Sequence, residues 1–346
     1  MTRFHRRPTS PRLAVAALAL AALGLGAAAS PARAEDTTTG TVEAVSVRVP
    51  LYTTPSPQDF GQSGIVLIQV GRSAPMRVIL DTGSVGLRLF SGALDRFRTG
   101  AVVTKTPIST PNDGGTLKGF IGKAPITIGG VTTTRSLPFQ VTSNSSAWVE
   151  GWKDKGVWGI LGVGMASKPL PNPLLALPAN TGQRWSIHFG GQPAKGIPGG
   201  GSLVLGAQPP ANAVTTIQAP PQGPDGYGSL LWNDTQANAC WTIAEGRTTC
   251  IPTWFDSVAD QLTLNGPAFA GLPADSDGVV KSGIPIHMSA GGSAFSVWTV
   301  VTGTTPSWNL TVATPKTAPL VNTGNRIYYD FTVTYDTTIG TISLSR

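Results

Sequence analysis

The chain has 346 residues, 40% of them apolar and only 12% charged, which is enough for two medium domains around a sizeable core. Its formal charge of +7 sits mostly in five arginines before residue 35; the rest carries 20 basic against 18 acidic residues. With no basic stripe interleaved with aromatics left, nucleic acid is not an expected partner.

Arg3, Arg6, Arg7 and Arg12 precede an apolar run from Leu13 to Ala29 and a small-x-small site, Ala32-Arg33-Ala34. This pattern predicts an export signal over 1–34 that is removed, with no stable membrane insertion afterwards and a secreted or periplasmic/cell-envelope location. Residues 35–44 are polar and Thr-rich, a flexible lead-in. Short apolar or alternating runs between Gly, Pro and Asn clusters then predict strands. They fall at Val45–Leu51, Ile65–Val70, Met76–Leu80, Gly86–Phe90, Phe120–Ile128, Leu137–Thr142, Trp185–Phe189 and Ser202–Leu205. The stretch 207–228, with five prolines, reads as a linker between lobes at 45–206 and 229–346. Strands resume at Cys240–Ile243, Thr253–Phe255, Leu262–Leu264, Ile327–Tyr335 and Gly340–Leu344. The fold class expected is all-β. The lone pair Cys240 and Cys250 in an exported chain predicts one disulfide closing a hairpin-sized loop.

One plan occurs twice. An apolar strand runs into Asp81-Thr82-Gly83-Ser84, and Leu87-x-Leu89 begins six positions after the aspartate; Asp256-Ser257 is followed at the same spacing by Leu262-x-Leu264. Two such matches in register, one in each half, indicate an internal duplication. Asp-Thr-Gly alone is an ordinary turn sequence. A carboxylate at the tip of a buried strand is costly unless hydrogen-bonded, and this favours a functional reading. Two carboxyls sharing a proton can serve as acid and base together.

In these motifs the chain resembles the pepsin-like aspartic peptidases. Asp81-Thr82-Gly83-Ser84 matches the first catalytic motif, and Ile160-Leu161-Gly162 matches the hydrophobic-hydrophobic-Gly strand that threads beside it. Gly324 stands where the last such psi-loop glycine falls, and Cys250 lies where the family has a disulfide shortly before its second aspartate. The resemblance covers about residues 45–346. It implies a two-lobed fold with a cleft, Asp81 and Asp256 as catalytic residues, and an extended peptide or protein substrate. It implies Thr82 and Ser257 bonding across the dyad, with Ser84 on Asp81 and Gly83 beside it. A flap at Asn112, Asp113, Gly114, Gly115 and Thr116 is expected. So are a monomer and no cofactor or metal.

Three departures stand against the pattern. The second motif reads Asp256-Ser257-Val258-Ala259, with valine for glycine and no hydroxyl at 259. The flap tyrosine would fall near Asn112. The last psi-loop motif is the polar Asn322-Thr323-Gly324. Valine is bulky and disfavours positive φ, so it is expected to narrow the cleft or tilt Asp256. These departures support a rival reading, a catalytically inactive pepsin-fold binding or inhibitor-like protein. A serine hydrolase is disfavoured because the chain past the signal has only His188 and His287 and lacks a G-x-S-x-G elbow. Nine scattered tryptophans read as core packing rather than carbohydrate stacking.

Overall fold

The computed structural model describes residues 45–56, 62–112, 115–191, 200–243, 246, 248–276, 278–290, 296–303, 310–312 and 318–346. The expected export signal, the lead-in, Asp113 and Gly114 lie outside them. The side chain of Asn112 is likewise outside what is described.

The first half is built from β1 (Val47–Pro55), β2 (Gln62–Val70), β3 (Met76–Asp81) and β4 (Val85–Leu89), followed by helix α1 (Ala93–Phe97). A hairpin of β5 (Val102–Asn112) and β6 (Gly115–Ala124) comes next, then β7 (Ile126–Ile128), β8 (Val131–Thr132) and β9 (Leu137–Thr142). The single run expected over Phe120–Ile128 is therefore two strands. Pro125 separates them because its ring removes a ladder donor. Helix α2 (Ala147–Asp154) starts at Ser146, whose side chain accepts from Val149 N, and buries Val149 and Trp152. After it come β10 (Val157–Val163), the short helix α3 (Ala179–Gly182), β11 (Arg184–His188) and β12 (Gly201–Leu205).

The stretch 207–228 carries β13 (Ala213–Gln218) and β14 (Pro221–Pro224), the latter paired with β15 (Leu230–Trp232). The second half holds β16 (Asn238–Ile243), β17 (Thr248–Trp254), β18 (Leu262–Asn265), β19 (Pro285–Ser289), β20 (Trp298–Val301), β21 (Leu310–Val312) and β22 (Leu320–Asn322). Helix α4 (Ile327–Asp330), β23 (Thr332–Asp336) and β24 (Thr341–Ser345) end the chain. The strand expected over Ile327–Tyr335 begins instead as this helical turn, which buries Ile327 and Tyr328. Burial of Tyr328 overrides its β propensity.

Three sheets result among the described residues, of fifteen, seven and two strands. The duplication read from the sequence has a structural counterpart. β10 runs parallel to β3 and antiparallel to β4, setting Gly162 opposite Asp81 and opposite Gly86. β22 runs parallel to β17 and antiparallel to β18, with Asn322 opposite Trp254 and Thr263. Asp81 thus ends a strand flanked by a threaded neighbour, and Asp256 follows two residues after one. Val78, Ile79 and Leu80 are wholly buried, as suits a strand with neighbours on both sides and cover on both faces. β23 and β24 pair with β11 and β13, so the chain terminus is sewn into the fifteen-stranded sheet.

Cys240 and Cys250 pair directly across β16 and β17 and are joined in a disulfide ten residues apart. Constraining a loop of that size in the unfolded chain stabilises by about 2–3 kcal/mol. The Cys240→Ser/Cys250→Ser double variant should lose that much unfolding free energy in urea titrations, with a lower midpoint. An unmoved midpoint would show that the strand ladder alone holds this hairpin.

Candidate active site

The two aspartate loops meet through their hydroxyl residues. Thr82 N donates to Ser257 Oγ at 2.9 Å, and Ser257 N donates to Thr82 Oγ1 at 2.9 Å. Each hydroxyl then donates to a backbone carbonyl of the opposite half: Thr82 Oγ1 to Phe255 O at 2.7 Å and Ser257 Oγ to Leu80 O at 2.8 Å. Thr82 and Ser257 are 2% and 0% exposed, so losing either hydroxyl strands a buried backbone N–H. Asp81 and Asp256 lie next to these residues and line one cleft of about 800 Å³.

The carboxylates are held by comparable donors. Asp81 Oδ1 accepts from Gly83 N at 2.8 Å, and its Oδ2 accepts a short bond from Ser84 Oγ. Asp256 Oδ1 accepts from Val258 N at 3.0 Å and Ala259 N at 3.2 Å. Its Oδ2 accepts from Asn322 Nδ2 at 2.9 Å. The Asn322 amide therefore supplies the donor that Ala259 lacks, and Asn322 Oδ1 accepts from Gly324 N at 2.9 Å, which fixes its orientation. The polar character of the last psi-loop motif is accounted for: the pairing of Ala259 with Asn322 is the signal that sequence reading passed over.

Gly83 serves close approach rather than backbone freedom. A Cβ there would lie 2.8 Å from Asp256 Cγ and Oδ1, so the carboxyl of Asp256 rests on the Gly83 backbone. The backbone at Val258 does not take the positive φ that valine disfavours. Arg98 is the only non-glycine residue with positive φ among those described. Val258 packs with Trp148 against the smaller apolar cluster, beside Ile79, Trp152 and Ile160. Gly162 is held to glycine by Ser84, whose carbonyl carbon and Oγ would stand 2.8 Å from a Cβ. Gly324 has φ +61°, and a Cβ there would lie 2.7 Å from Gln261 O, so both space and backbone demand glycine. Ile160 and Leu161 pair with Ile79 and Leu80.

In the β5–β6 hairpin Asn112 stands opposite Gly115 and Pro111 opposite Thr116, and Thr110 and Pro111 reach the cleft wall. Near its tip the hairpin is held by Asn144, whose Oδ1 accepts from Lys118 N and whose Nδ2 donates to Thr116 O.

Two further groups were not anticipated. Tyr328 OH lies 2.9 Å from Thr82 Oγ1, 3.0 Å from Phe255 O and 2.6 Å from Tyr335 OH. Burial raises both phenols well above the usual tyrosine range, keeping them neutral donors. Arg88 is 5% exposed and donates through Nη1 to Ser84 Oγ at 2.7 Å and through Nε to Thr110 Oγ1 at 3.1 Å. A lone arginine inside the apolar run Val85–Leu89 was its visible signal.

No family model matches the chain, and no curated protein matches it. Among solved structures, the chain is similar to the aspartic proteinase from Irpex lacteus, with a TM-score of 0.57 and 17% identity over 87% of this chain and 97% of that one. The protein has the pepsin-like aspartic proteinase fold.

Asp234 lies behind the site. It is 4% exposed, accepts from Met165 N at 2.6 Å and is pushed up to about 6 by burial. Its native carboxyl keeps a proton that the unfolded chain releases near pH 4, so this group's contribution to stability falls as pH rises from about 4 to 6 and levels off above. Asp234→Asn should therefore gain on the wild type by on the order of 3 kcal/mol between pH 4 and pH 7. Urea titrations of both proteins across that range measure it. A difference independent of pH would mean that Asp234 ionises at its ordinary value.

Proposed function

We propose that the protein is an exported aspartic endopeptidase acting as a monomer, with Asp81 and Asp256 as its catalytic dyad and an extended peptide as substrate. The observation that carries this reading is the reciprocal Thr82–Ser257 bonding, which sets both aspartates on one floor of the cleft. The fold supports it, and the basic and apolar N-terminus together with the disulfide supports export. The inactive alternative rested on Val258, Ala259 and the absent flap aromatic. The first two are absorbed by an ordinary backbone at Val258 and by Asn322.

In this mechanism the ionised carboxylate takes a proton from a water molecule, and its oxygen bonds to the scissile carbonyl carbon. The protonated carboxyl gives its proton to the carbonyl oxygen, leaving a neutral gem-diol. On collapse the dyad's proton passes to the amide nitrogen as the C–N bond breaks, one gem-diol hydroxyl gives its proton to the dyad as the new carboxyl forms, and the dyad again holds one proton. Ile79, Ile160, Trp148 and Trp152 make one wall of the cleft apolar, which suits a large hydrophobic side chain beside the scissile bond. The β5–β6 hairpin would act as the flap, pairing with the substrate backbone.

The protein should cleave a mixed peptide library between about pH 3 and 7, and Asp81→Asn and Asp256→Asn should each lose at least ~100-fold in rate. A folded protein that cleaves nothing across this range, or activity that survives both changes, would sink the assignment. On the same assay, Asn322→Leu should lower kcat about tenfold, and adding Ala259→Ser should restore part of it by returning a hydroxyl donor to Asp256. Equal rates for the single and double variants would mean that the amide only fills space.

A further inference from the structure

Burying a guanidinium carries a desolvation penalty of several kcal/mol, and well-packed apolar residues replace buried charges at little or no loss of stability. Arg88 is nevertheless buried in β4 with apolar neighbours before and after it, and burial lowers its pKa while the charge of Asp81 raises it. Its hydrogen bonds are directional. Nη1 meets Ser84 Oγ at 2.7 Å, and the same hydroxyl donates to Asp81 Oδ2. Nε meets Thr110 Oγ1 at 3.1 Å, and Thr110 Oγ1 donates to Gln140 Oε1 at 2.6 Å. Because the guanidinium occupies a lone pair of Ser84 Oγ, the serine proton is left to point at Asp81. Asp256, by contrast, is met by a carboxamide N–H and two backbone N–H groups.

We infer that Arg88 is a positioning residue for the dyad: acting through Ser84, it aims a hydroxyl at Asp81 and favours the ionised form of that carboxyl, leaving the shared proton on Asp256. This rests on the endopeptidase reading for its consequence, but the Arg88–Ser84–Asp81 chain exists independently of it. The groups packed around Arg88 are few. β5 presents Thr110, β9 presents Gln140 and β10 pairs Ile160 with it; none of these titrates, and Asp81 is the charge that acts on it. Around the dyad itself the titratable groups are Arg88 on the Asp81 side, the neutral phenols Tyr328 and Tyr335 behind Asp256, and Asp260 and Lys168 on the cleft wall. Buried Asp234 lies behind them.

The consequence is an ordered titration. The acid limb of the pH–rate profile belongs to Asp81 and lies low because of Arg88. A cation one hydroxyl away lowers a carboxyl by roughly one pH unit or more. Asp81 is followed directly by carbon-13 carboxyl NMR in an Asp256→Asn background, which needs no catalysis and removes coupling between the two aspartates. Arg88→Met and Arg88→Gln are both made, since either one that folds carries the test, with native folding read from near-ultraviolet circular dichroism. Each should raise the Asp81 midpoint by about one pH unit. Arg88→Lys should recover at least half of that rise. With Asp256 native, the acid limb of kcat/KM should move upward by the same amount, and kcat should fall more than KM changes. An Asp81 midpoint unmoved in a folded Arg88→Met or Arg88→Gln protein would overturn the inference and leave Arg88 a structural tie between β4 and β5. If the midpoint moves but no peptide is cleaved by the wild type, the endopeptidase reading fails and the positioning role stands.

Discussion

The site depends on one constraint, the requirement that two buried hydroxyls each satisfy a backbone N–H from the opposite half of the chain. Thr82 and Ser257 lie 175 residues apart and exchange donors so that neither loop closes alone. A buried N–H without a partner costs on the order of 1–3 kcal/mol, so the two halves are held in one register or not at all. Because the aspartates are the next residues toward the N-terminus, that register also sets where the carboxylates stand. Tyr328 adds a third element, bringing the chain terminus to the carbonyl of Phe255. This is why Ile327–Asp330 coils into a helical turn where β propensity favours a strand.

The duplicated plan is kept in the backbone and varied in the side chains. Each aspartate takes a donor on its outer oxygen, but Asp81 receives it from Ser84, three residues on, and Asp256 from Asn322, on the threaded strand. The serine in turn leans on a buried cation, while the amide leans on the backbone of Gly324. Equivalent geometry is thus reached with unequal electrostatics. In the proposed mechanism, where the pair shares one proton, that inequality gives one member a reason to be the base and the other the acid.

Carboxyl burial extends the same theme beyond the dyad. Asp234 keeps its proton to about pH 6 because the apolar surroundings disfavour its charge more than the Met165 N–H favours it. It sits against Gly164, whose Cβ position lies 3.0 Å from the carbonyl of Thr82 and 3.1 Å from Asp234 Oδ2. The contribution of this one carboxyl to stability is therefore larger in acid than near neutrality.

By itself the sequence determined what is local. Val-Ile-Leu before Asp-Thr-Gly marks a buried strand ending in an acidic turn, and the second Asp-Ser with Leu-x-Leu at equal spacing marks its duplicate. Period-two alternation and turn residues act over a few positions, so strands, the Cys240–Cys250 hairpin and Asp81 were legible. Tertiary structure alone decided how the departures are resolved. Asn322 reaches Asp256 across 66 residues, and Tyr328 reaches Thr82 across 246. Nothing in the local pattern of either residue encodes that contact. The first arises because β22 is threaded between β17 and β18 beside Asp256, and the second because the α4 turn buries Tyr328 behind the Thr82–Ser257 contact, where a buried polar group must find a partner.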